Sequence, residues 1–260
     1  MADPRQWGVT EETVAGVPVR LRRAGSGAPV LVLHHDFGSL DDLPFYRALA
    51  SRFDVLVPEH PGFGTSVRPE WMRSVRDLAV LYRELLGVLG IPSTVLVGLG
   101  FGGWVAAEMA TMAPSEVERL ALVGAMGIQP REGFILDQAL LGYTDYVRSA
   151  FSDPGAFDAI YGEEPSGDQL ELWDVCREMC FRIAWKPYMY SQTLPHLLRS
   201  MPAKSLVVWG EQDRVVPVIA SEQYAEVLPD ARRELIAQCG HAVALECPER
   251  LAELVIEFAG

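Results

Sequence analysis

The chain is poor in cysteine, in positive charge and in long apolar runs, and each shortage closes off a class of function. Four cysteines in 260 residues, Cys176, Cys180, Cys239 and Cys247, are too few and too irregularly spaced for a disulfide framework. Cys176 and Cys180 stand four apart on a predicted helix, but two thiols without further ligands make a poor metal site, and they read as core residues. Lys and Arg number 22 against 35 Asp and Glu, a net charge of −13. Such a chain lacks the basic stripe that a phosphate backbone requires, and an anionic membrane surface would repel it, so neither nucleic acid nor membrane is expected as a partner. No stretch approaches about 18 uninterrupted apolar residues, so nothing is expected to span a bilayer. The opening MADPRQWGVTEET carries no apolar leader core and no small-residue cleavage site. A soluble, cytoplasmic protein acting on a small molecule is expected. Oligomeric state leaves no readable mark.

Apolar residues are plentiful, at 49%, and their arrangement is informative. VLVLHH (30–35), FDVLVPEH (53–60), TVLVGLG (94–100), LALVGAMG (120–127) and SLVVWGEQD (205–213) are short, nearly continuous apolar runs ending in glycine, histidine or an acid. Continuous rather than alternating apolarity marks strands covered on both faces, and hence a mostly parallel sheet. Helical patterns lie between them. Val75, Leu78, Leu81, Leu85 and Leu89 recur at three- and four-residue steps, as do Leu251, Leu254, Val255 and Phe258. The alternation predicts a doubly wound α/β domain, with ETVAGVPVRLRRAG as an antiparallel hairpin on its edge. Residues 128–203 break the pattern: they are mostly helical and carry eleven of the chain's aromatic residues. They read as a helical cap over the strand ends, where open α/β sheets bind ligands. The expected division is a core formed by 1–127 and 204–260, with the cap at 128–203. Trp185 and Tyr188, near the base of the cap, are expected to line the pocket.

The turn Gly98-Leu99-Gly100-Phe101-Gly102-Gly103 fits two templates. As G-x-G-x-x-G it is a dinucleotide fingerprint, which requires an acid at the end of the next strand to hold the ribose. That strand ends Val123-Gly124-Ala125, so the fingerprint fails its context and no cofactor is expected. As G-x-[nucleophile]-x-G it is a nucleophile elbow with Gly100 at the position of the nucleophile. LVLHHDFGS (31–39) then stands where an oxyanion loop belongs. WGEQDRVVP (209–217) places Asp213 at a strand end, and CGHAVALECPERLAEL (239–254) places His241 before the last helix. The order elbow, acid, histidine is that of the α/β-hydrolase triad.

With these motifs together, nearly the whole chain resembles the capped small-molecule hydrolases of the α/β-hydrolase superfamily. The resemblance implies that Asp213 orients His241 as a base and that the backbone N–H groups of Asp36 and Phe101 form the oxyanion hole. Two departures stand out. Gly100 has no nucleophilic atom, and His34-His35-Asp36 replaces the usual His-Gly before the oxyanion donor. A Ser→Gly knockout explains the first departure and not the second. Without a serine, the space above Gly100 is expected to be a gap that holds water or substrate, and the carboxylate of Asp36 is expected to oppose an oxyanion unless it turns away. Function is therefore read three ways. One is His–Asp acid/base chemistry on a carbonyl compound: water activation, C–C cleavage, decarboxylation or cyclisation. The others are a serine hydrolase inactivated by substitution and a non-catalytic binding protein.

The remaining candidates have plainer readings. His34 is expected to be structural. His35, Asp36 and His60 come from two loops without a recognised ligand spacing, so no metal is expected. Cys239 reads as an inert loop thiol, Arg182 and Lys186 as a solvated face, and Trp104 as core.

Overall fold

The structure is a computed structural model that describes residues 7–260. The part of the opening segment at 1–6 lies outside the described residues. Eight strands form one sheet: β1 (Gly8–Val14), β2 (Val17–Gly25), β3 (Pro29–Leu33), β4 (Asp54–Pro58), β5 (Thr94–Leu99), β6 (Val117–Val123), β7 (Lys204–Gly210) and β8 (Ala231–Ile236), in the order β1-β2-β4-β3-β5-β6-β7-β8. β1 and β2 pair as the expected antiparallel edge hairpin, β2 runs antiparallel to β4, and the pairs from β4 through β8 are parallel. The helices are α1 (Pro44–Ala50), α2 (Val75–Val88), α3 (Phe101–Met112), α4 (Tyr143–Ser149), α5 (Pro154–Tyr161), α6 (Gly167–Ala184), α7 (Leu194–Leu198), α8 (Ile219–Val227), α9 (Val243–Glu246) and α10 (Pro248–Ala259).

The apolar runs are continuous because the sheet is buried on both faces. Leu31, Leu33, Leu96, Leu120 and Leu122 pack on one side with α2 and α3. Their chain neighbours Val30, Val32, Val95, Val97, Ala121 and Val123 pack on the other with α1 and α10. Successive strand residues point to opposite faces, so each face needs its own apolar set. α2 begins where Ser74 accepts from the Asp77 backbone N–H and the Asp77 carboxylate accepts from that of Ser74, a reciprocal cap that closes two free donors. β8 has the sequence ARRELI and only one buried residue. As an edge strand it needs no double apolar coat, which is why no apolar run marks it. Between β6 and β7 the chain is helical, with α4 to α7 in succession.

β5 enters α3 through the glycine turn. Gly100 N–H donates to Val123 O at 2.8 Å and Gly102 N–H to His34 O at 3.0 Å, which pins the elbow between the ends of β3 and β6. A Cβ at Gly102 would collide with the carbonyl oxygens of Leu33 and His34, and one at Gly98 with the Gly103 backbone. Gly102→Ala is therefore expected to cost about 1–3 kcal/mol of stability by overpacking. Chemical denaturation of the two proteins measures it, and an unchanged midpoint would show that the elbow has slack.

Candidate active site

Three strand ends converge on Gly100. Its φ of 54° and ψ of −114° lie in a region where side chains other than glycine are strained, at a cost of about 1–3 kcal/mol. β5 turns into α3 at this residue, and position 100 has no side chain.

After β7, Asp213 is held in a tight turn. Its Oδ1 accepts from the backbone N–H groups of Val215 and Val216, each at 2.8 Å. Trp209 Nε1 donates to Val216 O at 3.1 Å and locks the turn to the strand. The remaining oxygen, Oδ2, accepts from His241 Nδ1 at 2.8 Å. Both side chains are buried. That bond fixes the tautomer of His241, so Nε2 carries the free lone pair. Nε2 would stand 3.0 Å from a Cβ at Gly100, so the base faces the elbow. Burial works against the charged form of His241, but the charge of Asp213, its hydrogen bond and the charge of Asp36 outweigh it, and the pKa is raised. Glu246 positions the loop: its carboxylate accepts from the N–H groups of Gly240, Ser152 and Asp153. This residue sits inside the histidine motif, five positions after His241.

His34 and His35 are chain neighbours that turn to opposite sides. His34 Nδ1 donates to His35 O at 2.7 Å, and its Nε2 accepts from the His60 backbone N–H at 2.9 Å. His60 Nε2 donates to His34 O, and its Nδ1 bonds to the Tyr82 hydroxyl. Burial pushes His60 down to about 3 and, with His60 beside it, pushes His34 well down. These two form a neutral structural pair, as expected for His34. His60 is not grouped with His35 and Asp36.

The expected gap above Gly100 is not there, because the imidazole of His35 fills it. A Cβ at Gly100 would collide with His35 Nδ1. The ring stacks on Phe37 at 4.7 Å and 11° and meets His241 edge-on at 5.2 Å. Burial and the adjacent His241 push its pKa well down, so it is neutral. Among the described residues neither ring nitrogen has a hydrogen-bond partner, and the same holds for His241 Nε2 and Asp36 Oδ1.

The carboxylate of Asp36 is tethered to the helical insertion. Its Oδ2 accepts from Gln138 Nε2 at 2.6 Å and from the Tyr146 hydroxyl at 2.7 Å. Burial raises its pKa against the opposing pull of His241, Tyr146 and Gln138. Neither Gln138 nor Tyr146 stands out in the sequence; Tyr146 is one aromatic among eleven. A cavity of ≈10 Å³ lies between Asp36, Gln138, Tyr146 and Trp173, which is about the size of one water. A larger cavity of ≈430 Å³ is lined by Ile128, Gln129, Arg131 and Tyr190 and touches none of these side chains.

The Phe101 ring is buried against His60, Phe63 and Trp104, which leaves only its backbone for the elbow. Trp185 does not reach the cluster: it is 46% exposed and packs on Phe181 and Tyr188. Tyr188 is one step removed, because its hydroxyl donates to Leu136 O and accepts from the Gln138 N–H, so it steadies the segment that carries Gln138. Arg182 is not a solvated cation. It donates to the backbone oxygens of Glu70 and Met72 and ties α6 to the loop before α2. Cys239 is buried, and its hydrogen bond with Cys247 and its burial push the thiol up, away from nucleophilic use.

A family model described as Alpha/beta hydrolase family matches residues 27–254. The chain is 25% identical to the 2-hydroxymuconate semialdehyde hydrolase of Pseudomonas sp. (strain CF600), covering 95% of this chain and 92% of the relative. Among solved structures it resembles a meta-cleavage product hydrolase (CumD), with a TM-score of 0.80 at 22% identity, covering 96% of this chain and 97% of that one. It resembles a membrane phospholipase A described as a bacterial virulence factor, with a TM-score of 0.83 at 24% identity, covering 98% and 86%. At these identities the structural likeness speaks for the fold alone. No helix among the described residues is long and apolar enough to cross a membrane.

The clash between a side chain at position 100 and the ring of His35 makes a testable pair. Gly100→Ser alone is expected to destabilise the protein by about 1–3 kcal/mol, from strain and overpacking together. In a His35→Gly background the same change is expected to cost less, with a coupling energy on the order of 0.5–3 kcal/mol. Denaturation of the four proteins closes the cycle. Additive costs would mean that the two positions do not compete for one space.

Proposed function

Because this chain belongs to the alpha/beta hydrolase family, we propose that it is a hydrolase in which water, rather than a side chain, attacks a small apolar carbonyl compound. One observation carries the reading. His35 occupies the space of the missing nucleophile while His241 Nε2, oriented by Asp213, still faces that position. Installing a serine collides with His35, which counts against a conventional serine hydrolase that has lost one group.

C–C bonds next to a carbonyl are the first substrate class to test, given the meta-cleavage product hydrolases among the relatives. In that reaction His241 Nε2 takes a proton from water and the water oxygen bonds to the carbonyl carbon. The N–H groups of Asp36 and Phe101 face the oxygen of the adduct. The C–C bond then breaks, and His241 returns its proton to the departing carbon, giving a carboxylic acid and the shortened fragment. The helical insertion, 128–203, acts as the cap. It holds Asp36 through Gln138 and Tyr146, so admitting a substrate requires these contacts to open.

The test is turnover of dienoate-type 1,5-dicarbonyl compounds and simple esters by the wild type and by His241→Ala. Loss of a general base is expected to lower kcat by about 10²–10⁴-fold. Turnover that survives His241→Ala, or ligand binding with no turnover at all, would sink the reading. A serine-directed phosphonate is expected to leave the elbow peptide unlabelled, because position 100 offers no oxygen; mass spectrometry of the digested protein reads this directly.

A further inference from the structure

We infer that His35, Asp36 and His241 form a binding site for a divalent first-row transition-metal ion, with Asp213 as the outer partner of His241. The three side chains are buried, and each offers a ligand atom within 4.8 Å of the other two. The free donors are the ones that a metal uses. His35 Nδ1 and Nε2, Asp36 Oδ1 and His241 Nε2 are buried polar atoms without a partner among the described residues. Such groups are rare and call for an explanation in a water or an ion. Two imidazoles and a carboxylate suit zinc, iron(II), cobalt(II) or manganese(II), whereas calcium and magnesium take oxygen donors.

The supporting contacts have the form that metal sites require. His241 donates its second nitrogen to Asp213, the carboxylate–histidine arrangement that fixes the tautomer and strengthens the donor. Asp36 is oriented through Oδ2 by Tyr146 and Gln138, which leaves Oδ1 free. His35 is oriented by its stack on Phe37. Tetrahedral metal–ligand bonds of about 2.0–2.2 Å place donors about 3.3–3.6 Å from one another, so a cluster whose ligand atoms lie within 4.8 Å closes by at most about 1.5 Å. Three protein ligands leave a position open for water or substrate, as catalytic sites do. The absent side chain at Gly100 also acquires a reason, because a Cβ there would collide with His35.

The inference rests on the proposed function, hydrolysis by water, for its catalytic meaning and alters one step of it: His241 Nε2 cannot both ligate an ion and take the proton of water, so a bound divalent ion, which supplies Lewis acidity and lowers the pKa of water, would replace His241 as the activator of water. The binding itself is tested separately. Untagged full-length protein is stripped with a chelator and titrated with Zn²⁺ by calorimetry and with Co²⁺ by visible absorption. One ion per chain is expected, with Co²⁺ bands of low-coordinate nitrogen–oxygen ligation and a raised melting temperature. His35→Ala, Asp36→Ala and His241→Ala are each expected to abolish stoichiometric binding. Asp213→Asn is expected to weaken it about 10–100-fold, and the exposed His196→Ala to leave it intact. Should a ligand variant fail to fold, the Co²⁺ spectrum of the wild type still decides. Absence of stoichiometric binding, or binding undiminished in folded ligand variants, overturns the inference. Hydrolysis that is insensitive to chelation in a metal-free protein overturns the catalytic part of the inference and leaves His241 as the base, while the titrations alone decide the site. Stoichiometric binding to these residues without any hydrolysis supports the site and overturns the hydrolase reading instead.

Discussion

The imidazole of His35 and the bare Cα of Gly100 compete for one volume, and the site is organised around that exclusion. Position 100 sits at φ 54° between the ends of β3 and β6, where Gly100 N–H donates to Val123 O and Gly102 N–H to His34 O. A side chain there must project toward His241, and the ring of His35 already lies in its path. Once His35 is in place, position 100 is confined to glycine. His35 in turn is held by Phe37 behind it and His241 beside it. On the proposed function, the arrangement is a second way of filling the elbow.

The rest of the molecule supplies the rigidity that such a cluster needs. A buried polar atom left without a partner costs about 1–3 kcal/mol, and several converge here. They persist because each side chain is fixed from behind. Asp213 is bound by two backbone N–H groups, His241 by Asp213, and the loop of His241 by Glu246. Asp213 follows β7, a strand with apolar packing on both faces.

What the sequence discloses follows from how locally each feature is determined. Strands β3 to β7 are legible because double-sided burial imposes a continuous apolar run. β8 is silent, since an edge strand such as ARRELI is under no such demand. Asp213 and His241 are legible because strand ends deliver them to one edge of a parallel sheet. The grouping of the other histidines is not. His34 and His35 are adjacent, and alternation at the end of a strand sends one to His60 and Tyr82 and the other to Gly100. Spacing along the chain does not say which goes where. That is why His60 reads as a companion of Asp36 in the sequence and His241 is its companion in the structure. Gln138 and Tyr146 meet Asp36 across more than a hundred residues of chain, and no periodicity reports such a contact. Trp185 errs the other way, since an aromatic in the insertion packs on its neighbours as readily as on a pocket.

Asp36 is where the two parts of the chain meet, and this gives access to the site an electrostatic side. Its carboxylate belongs to the core loop after β3, yet both groups that bond to Oδ2 come from the insertion. The cavity beside it has ≈10 Å³, too little for a substrate, and on the proposed function the insertion withdraws before one binds. Withdrawal removes Tyr146 and Gln138 from Oδ2 and lets water replace them. It therefore changes the partners of a carboxylate whose charge also bears on His241. Opening the pocket and setting the charge at the elbow are then one event, because a buried carboxylate cannot lose two donors without gaining others or taking up a proton. In a hydrolase with serine at the elbow and glycine before the oxyanion loop, neither the ring of His35 nor this dependence would arise. Here the residue that closes the elbow and the residue that latches the insertion are neighbours in the chain, so movement of one loop carries both.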